Sequence, residues 1–304
     1  MVWAGDGETL FVGAAGSGIL RWAPSSGTQP QPWLDTDAHA EALAIDPGGD
    51  RLAWAGDKMS VLVDVESRAE LHRWRHEGAV ASVALGPTRM TSVDRHNRAR
   101  SYDYIAKTGL PEREVDTLHA ISIAAEGDGP WLATGGYGAI EVRGGAVPIS
   151  IAMPDCRESP ADLACADWEQ RSIEEFGDEG SQPASYTDSS PDWLVHDVEF
   201  GPNGQMLVAG RSDGVVLVVD LAGATVVQRF EADPDGAVTV SVSRDASLIA
   251  VGGKSGRLDV FSRVDGSARS VQAHEHSIRD VAWSGPGQIA TASYDGVAVW
   301  QIRE

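Results

Sequence analysis

Short runs of alternating apolar and polar residues recur along the chain, and Gly, Pro, Asp and Asn cluster between them. Clear examples of the alternation lie at Val80–Leu85, Val195–Phe200, Val238–Val242 and Val281–Trp283. The intervening segments read GDGE, PGGD, GPNG and GPGQ, and these residue types favour tight hairpin turns. Because side chains alternate between the two faces of a strand, the pattern predicts many short β-strands joined by turns.

The predicted strands belong to a repeat. A core position on the second strand of each unit sets the register, and the third strand ends 10 to 12 residues later. The register positions are Leu10, Leu52, Met90, Leu132, Leu207, Ile249 and Ile289. The third strands end at Trp22, Val63, Tyr102, Val142, Val219, Phe261 and Trp300. Successive units are 38 to 42 residues apart, except for one interval of 75 residues.

A unit of about 40 residues with several short strands has the size of one propeller blade. Seven units predict an all-β fold, a seven-bladed β-propeller of four-stranded antiparallel blades, with residues 1–304 as a single domain. Residues 1–4 align with an innermost strand, whereas the chain stops directly after the third strand of the last blade. We therefore expect the last blade to lack its outermost strand, either because that strand is missing or because the sequence is a piece of a longer protein.

The last unit resembles a Trp-Asp (WD40) repeat. In that family a His before the innermost strand, a Ser or Thr on the second strand, an Asp in the following turn and a Trp on the third strand form a buried hydrogen-bonded tetrad. His274, Thr291, Asp295 and Trp300 match all four positions. The resemblance implies that these residues serve stability rather than chemistry. The Arg-, Ala- and Gly-rich composition is typical of bacterial members.

A second unit matches the tetrad in part. His76, Ser92 and Tyr102 occupy three of the four positions, and His96 stands where the Asp is expected. The other units keep the strand pattern without the complete polar signature.

The long interval predicts an acidic insertion at residues 152–192, between blades four and five. It contains 11 Asp and Glu residues against two Arg, a net charge of -9. Ser159 is suited to cap a helix, Pro160 to begin it and Gly177 to end it. These signals predict a short helix over residues 160–176.

The apolar side of that helix would include Trp168, Ile173 and Phe176, which are candidate contacts for a partner or for a blade. The two cysteines, Cys156 and Cys165, also lie in the insertion. A disulfide, a metal site and free thiols are all open for this pair, and a cytoplasmic location favours free thiols.

The net charge of the chain excludes two classes of binding partner. The chain has 24 Lys and Arg against 45 Asp and Glu, a net charge of -21. Direct binding to nucleic acid or to an anionic membrane surface is therefore not expected, because both depend on cationic side chains. No basic leader and no long apolar stretch are seen, so we expect a cytoplasmic protein.

Motifs that suggest chemistry fit the strand pattern better than a catalytic site. The sequence GRSDG around Ser212 matches a hydrolase nucleophile motif, and GGKSG at Lys254 resembles the end of a phosphate-binding loop. A strand follows each of them where those motifs need a helix. His274, Glu275 and His276 lack metal-binding spacing on a helix. We expect no catalytic residue, no metal and no cofactor.

The turns after the second strands are the remaining candidate site. They present Lys58, Arg95, Tyr137, Arg211, Lys254 and Tyr294 around one rim. The resemblance implies a scaffold or sensor domain that binds a protein or peptide through this rim, through the insertion, or through both. The partner could include an effector domain, fused or in the same complex. Two alternatives stay open: a propeller that uses its central channel as an enzyme or ligand binder, and a self-assembling subunit.

Overall fold

In a computed structural model, the chain folds into antiparallel sheets arranged in a ring. The structure describes residues 1–14, 16, 18–36, 38–96, 98–109, 113–114, 122–125, 132–135, 139–143, 149–152, 194–202, 204–285 and 287–302. Each sheet has its strands in sequence order, from an innermost first strand to an outermost last strand.

The first three blades come from residues 2–114. Blade one contains β1 (Val2–Trp3), β2 (Leu10–Ala14), β3 (Gly18–Trp22) and β4 (Gln31–Leu34). Blade two contains β5 (Ala42–Ile45), β6 (Arg51–Gly56), β7 (Met59–Asp64) and β8 (Glu70–Arg75). Blade three contains β9 (Val80–Leu85), β10 (Arg89–Asp94), β11 (Arg98–Asp103), β12 (Thr108–Gly109) and the additional β13 (Arg113–Glu114).

The next three blades repeat this arrangement. Blade four contains β14 (Ser122–Ala125), β15 (Leu132–Gly135), β16 (Ala139–Arg143) and β17 (Ile149–Ala152). Blade five contains β18 (Val195–Phe200), β19 (Met206–Arg211), β20 (Val215–Asp220) and β21 (Thr225–Glu231). Blade six contains β22 (Ala237–Val242), β23 (Leu248–Gly253), β24 (Arg257–Ser262) and β25 (Ala268–Gln272).

The last sheet is different, because it has only three strands: β26 (Asp280–Gly285), β27 (Gln288–Ser293) and β28 (Gly296–Gln301). The prediction of seven four-stranded blades is therefore wrong in number. Within the described residues, six blades have a complete set of strands, and the last sheet has no outermost strand.

The alternating strand pattern builds the core between neighbouring sheets. On β20, Leu217 and Val219 pack towards blade four, whereas Val216 and Val218 pack towards blade six. Both faces of the strand are buried, so the strand reads as a continuous apolar run. The main apolar core therefore lies between the sheets rather than in one central mass.

The ring closes between the last sheet and blade one. The N-terminal amine of Met1 pairs with Asp280, and the Trp3 indole donates a hydrogen bond to the Ala282 carbonyl at 3.0 Å. Ser284 donates to the Gly7 carbonyl. Closure thus uses one ion pair and two bonds from side chains to backbone carbonyls, between the two innermost strands and the adjoining turns.

Helical structure is sparse in the described part of the chain. Among the described residues, one 3-10 helix spans Pro24–Ser26, and none of the described helices is long and apolar enough to cross a membrane. The helix predicted over residues 160–176 lies outside the described residues.

Candidate partner-binding face

The four residues of the predicted tetrad meet in the last sheet. His274 Nδ1 lies 2.6 Å from Asp295 Oδ1, and His274 Nε2 lies 2.8 Å from Thr291 Oγ1. The Trp300 indole donates to Thr291 Oγ1 at 2.9 Å. These bonds tie the loop before β26 to β27, to the following turn and to β28.

The protons in this chain of bonds have one consistent order. His274 Nδ1 donates to the Asp295 carboxylate, so Nε2 accepts from the Thr291 hydroxyl. The Glu275 backbone amide also donates to Asp295, at 2.8 Å. This amide bond lowers the pKa of Asp295, which keeps the carboxylate ionised as an acceptor.

Blade three contains a variant of the tetrad. His76 Nε2 lies 3.1 Å from Ser92 Oγ and 2.9 Å from Ser60 Oγ, so a serine of blade two joins the network. The carboxylate that approaches His76 Nδ1 belongs to Asp94, at 3.8 Å. The repeat pattern put His96 at the Asp position, and the structure places the acid two residues earlier, at Asp94.

Tyr102 has a different environment from Trp300. Its ring stacks on His72, with ring centroids 3.7 Å apart, and it meets Trp74 edge-on at 5.6 Å. Both contacts are with the outermost strand of blade two. Tyr102 therefore takes part in packing between blades.

One end of the ring carries both the turns between second and third strands and the connections between sheets, because strands reverse direction at every turn. We call this end the rim face. Backbone bonds join turn to connection: Ser212 donates to Leu194 at 2.8 Å, Lys254 to Gly236 at 2.9 Å and His76 to Lys58 at 2.7 Å.

The structure places the predicted rim residues in different environments. Lys58 and Arg95 are exposed on the rim face, and Tyr137 lies outside the described residues. Arg211 is only 4% exposed, and its guanidinium pairs with Asp213 at 2.6 Å. The prediction that Arg211 is a surface contact is therefore wrong.

Arg279, which the sequence analysis did not single out, lies beside Tyr294 on the rim face, and Lys254 is exposed on the same face. Tyr294 is 77% exposed, and the Arg279 guanidinium lies 5.4 Å from the centre of its ring. Burial lowers the pKa of His196, and the positive charges of Lys254 and Arg279 lower it further. Both cations therefore lie near His196. We call the exposed group of Lys254, Arg279 and Tyr294 the rim patch.

The innermost strand of blade five carries two carboxylates that the sequence reasoning also missed. Asp197 accepts hydrogen bonds from the Val240 amide and the Thr239 hydroxyl, both at 3.0 Å, and Glu199 accepts from the Val242 amide at 3.2 Å. These groups tie blade five to the innermost strand of blade six.

Burial, together with the negative charge of Asp280, raises the pKa of Asp197 to about 7. Burial and the charge of Asp197 raise the pKa of Glu199 to about 8. Within the described residues, no group of three or more His, Cys, Asp or Glu side chains could hold a metal ion. Because both carboxylates accept hydrogen bonds from blade six, we call Asp197 and Glu199 the clamp between the two blades.

Sequence comparison agrees with the tetrad geometry. The family model "WD domain, G-beta repeat" (WD40) matches residues 181–220 and 266–299. The first match includes β18 to β20, and the second contains His274, Thr291 and Asp295. The chain is a WD40 β-propeller.

Wider comparison adds the fold but no function. No curated protein matches the sequence. A chain in the "Crystal Structure of Mitotic Checkpoint Complex" is similar over 100% of this chain and 90% of that one, with a TM-score of 0.74 and 15% identity. In all, 1824 chains of solved structures match, so this likeness does not separate one function from another.

The insertion of this WD40 propeller leaves and returns at the rim face. Ala152 pairs with Ala139 beside one rim turn, and Leu194 bonds to Ser212 in another. The candidate contacts Trp168, Ile173 and Phe176, together with the cysteine pair, lie outside the described residues.

Proposed function

We propose that this WD40 propeller is a non-catalytic scaffold that binds an acidic segment of a partner protein at the rim patch. The observation that carries the proposal is the exposed Tyr294 ring beside the Arg279 guanidinium. Tyr and Arg are, with Trp, the residue types enriched at the energetic centres of protein interfaces. WD40 propellers typically serve as protein-interaction scaffolds.

The charge of the patch sets the chemistry of the partner. Lys254 and Arg279 are two exposed cations in a chain with a net charge of -21. An isolated cationic patch on an acidic protein attracts carboxylates and repels other cations, so it selects an acidic segment. Glu275 and Asp235 are exposed near the ends of the same connections.

The competing hypothesis, a channel that holds a ligand or a reaction, has weaker support. Asp197 and Glu199 already accept bonds from the innermost strand of blade six. Self-assembly is opposed by the charge of -21 on each copy.

The test selects peptides from a random display library on the immobilised full chain, then measures their affinity by fluorescence anisotropy. We expect selected peptides to be rich in Asp and Glu and to bind more weakly at high salt. Tyr294→Ala and Arg279→Ala should each raise the Kd about five- to tenfold or more, as expected for interface centres.

Matched controls lie on the opposite face. Val264, 84% exposed in the turn before β25, and Arg244, exposed in the turn before β23, should tolerate alanine without a change in Kd. Selection of neutral or basic peptides, or equal binding by Tyr294→Ala and Val264→Ala, would contradict the proposal.

A further inference from the structure

The last sheet has an open edge within the described part of the chain. No described strand pairs with the outer side of β28, so its outward N–H and C=O groups have no sheet partner. The third strands β7, β20 and β24 of complete blades are almost fully buried, whereas β3 and β11 are partly exposed and β28 is only half-buried. Unlike β3 and β11, β28 has no described outer strand beside it.

In the complete blades, an outermost strand covers the edge that is open in the last sheet. In blade five, Phe230 lies directly opposite Val216 and stacks on Phe261 of blade six, with ring centroids 4.9 Å apart. An aromatic side chain on the outermost strand therefore packs onto the third strand of the next blade.

Blade two has the same aromatic contact at the equivalent position. Trp74 lies opposite Ser60, the position equivalent to Val216, and meets Tyr102 of blade three at 5.6 Å. Tyr102 and Phe261 are equivalent, because each pairs with the register position of its own second strand.

The last sheet has no described outermost strand to carry the aromatic residue, but the positions that such a residue would contact are present. The position equivalent to Val216 and Ser60 is Val297, and the position equivalent to Phe261 and Tyr102 is Trp22 of blade one. Val297, Val299 and Trp22 all border the junction between the two sheets, and all are half-buried.

We propose that the outer edge of β28 accepts an extended strand from a partner protein, with an aromatic side chain opposite Val297 that packs on Trp22. The strand runs antiparallel to β28 and spans about six residues, the length of β28 itself. This edge is separate from the rim patch.

Charge decides between a partner strand and a second copy of the chain. Two copies would each carry a net charge of -21, which opposes pairing of one edge with another. The template strands β8 and β21 instead have Arg immediately before the aromatic residue, at Arg73 and Arg229. A neutral or basic segment with an Arg–aromatic pair therefore fits the edge best.

The probe is the peptide TVVQRFE, the sequence of β21, with both ends blocked. Hydrogen exchange of the full chain followed by mass spectrometry should show slower exchange at residues 296–301 when the peptide is present. Replacing the peptide Phe by Ser should weaken binding about tenfold, because the aromatic contact with Trp22 is lost. Replacing its Glu by Lys should strengthen binding.

The receiving side is tested with Trp22→Ala, which should weaken binding by a similar factor, and with Trp22→Phe, which should restore most of it. Unchanged exchange at 296–301 with saturating peptide would overturn the proposal. Equal binding of the Phe and Ser peptides would overturn the assigned register. Protection of this edge without peptide, in a monomer or in a dimer, would show that the chain covers the edge itself and would overturn the partner as occupant.

Discussion

Removal of one hydroxyl group tests how much the tetrad stabilises the last sheet. Thr291 is fully buried, and its Oγ1 lies 2.8 Å from His274 Nε2 and 2.9 Å from Trp300 Nε1. Thr291→Val keeps the shape of the side chain and a strand-forming residue, so it removes the hydroxyl with little change in volume.

The expected cost follows from the two groups that lose their partner. His274 Nε2 is buried and loses its donor, whereas Trp300 is half-buried, so water reaches its N–H in part. A buried polar group left without a partner costs about 1–3 kcal/mol. We expect Thr291→Val to lower the free energy of unfolding by about 2–4 kcal/mol, with the larger part from His274.

Urea unfolding followed by tryptophan fluorescence measures this change, and circular dichroism checks that unfolding is a single transition. Thr225→Val on β21 is the matched control, because Thr225 is exposed and its substitution should cost less than about 0.5 kcal/mol. Equal stability of the two variants would refute the reasoning that the tetrad stabilises the sheet.

Two further predictions concern the clamp and a glycine. The stability contributed by Asp197 and Glu199 is present below their ordinary pKa and is lost as pH rises through about 7 and about 8, so the wild-type melting temperature should fall from pH 5 to 8. The double variant D197N/E199Q should flatten that slope, and parallel curves would contradict the prediction. Gly256 has a positive φ of 85°, and a Cβ there would lie 2.2 Å from the His274 carbonyl oxygen, so Gly256→Ala should cost more than about 2 kcal/mol in urea unfolding. Gly266→Ala, with a similar φ and open space, is the control and should cost about 1 kcal/mol; equal costs would exclude the steric argument.

The repeat was predictable because both faces of a blade strand are buried against neighbouring sheets. The apolar run of β20 shows this: one face carries Val216 and Val218, and the other carries Leu217 and Val219. A strand buried between two sheets needs apolar residues on both faces. A core position on the second strand set the register, the distance of 10 to 12 residues to the end of the third strand supported it, and the pairs of β27 with β28 follow it. The propeller arrangement was therefore available from the repeat, and the WD40 family from the resemblance of the last unit, through its tetrad residues.

The contacts between blades were not predictable in the same way. Asp197 and Glu199 each accept a bond from an amide 43 residues later, and an alternating pattern carries no information about such partners. Arg211 was assigned to the surface from its turn position alone. Its pairing with Asp213, two residues later in the same turn, had a local signal in the sequence RSD.

In blade six, a different residue does what His274 does in the last sheet: it bonds the loop before the sheet to the turn after the second strand. Asp233 follows Ala232, whose amide bonds to Gly214, just as His274 follows Ala273, whose amide bonds to Gly256. The loop before each sheet thus meets the preceding blade in the same way, and the side chain that follows is free to hold the next turn of its own sheet.

The loop before the sheet is bonded to the turn after the second strand in both cases, but the hydrogen bonds run in opposite directions. In the last sheet the His274 ring donates to Asp295 in the turn, whereas in blade six the Asp233 carboxylate accepts from the Ser255 amide and hydroxyl in the turn. Tyr294 immediately precedes Asp295, and Lys254 immediately precedes Ser255. Two members of the rim patch therefore stand on turns that these bonds hold. Loss of the bond at either turn should weaken partner binding as well as stability, because an ordered side chain loses less conformational entropy when it binds.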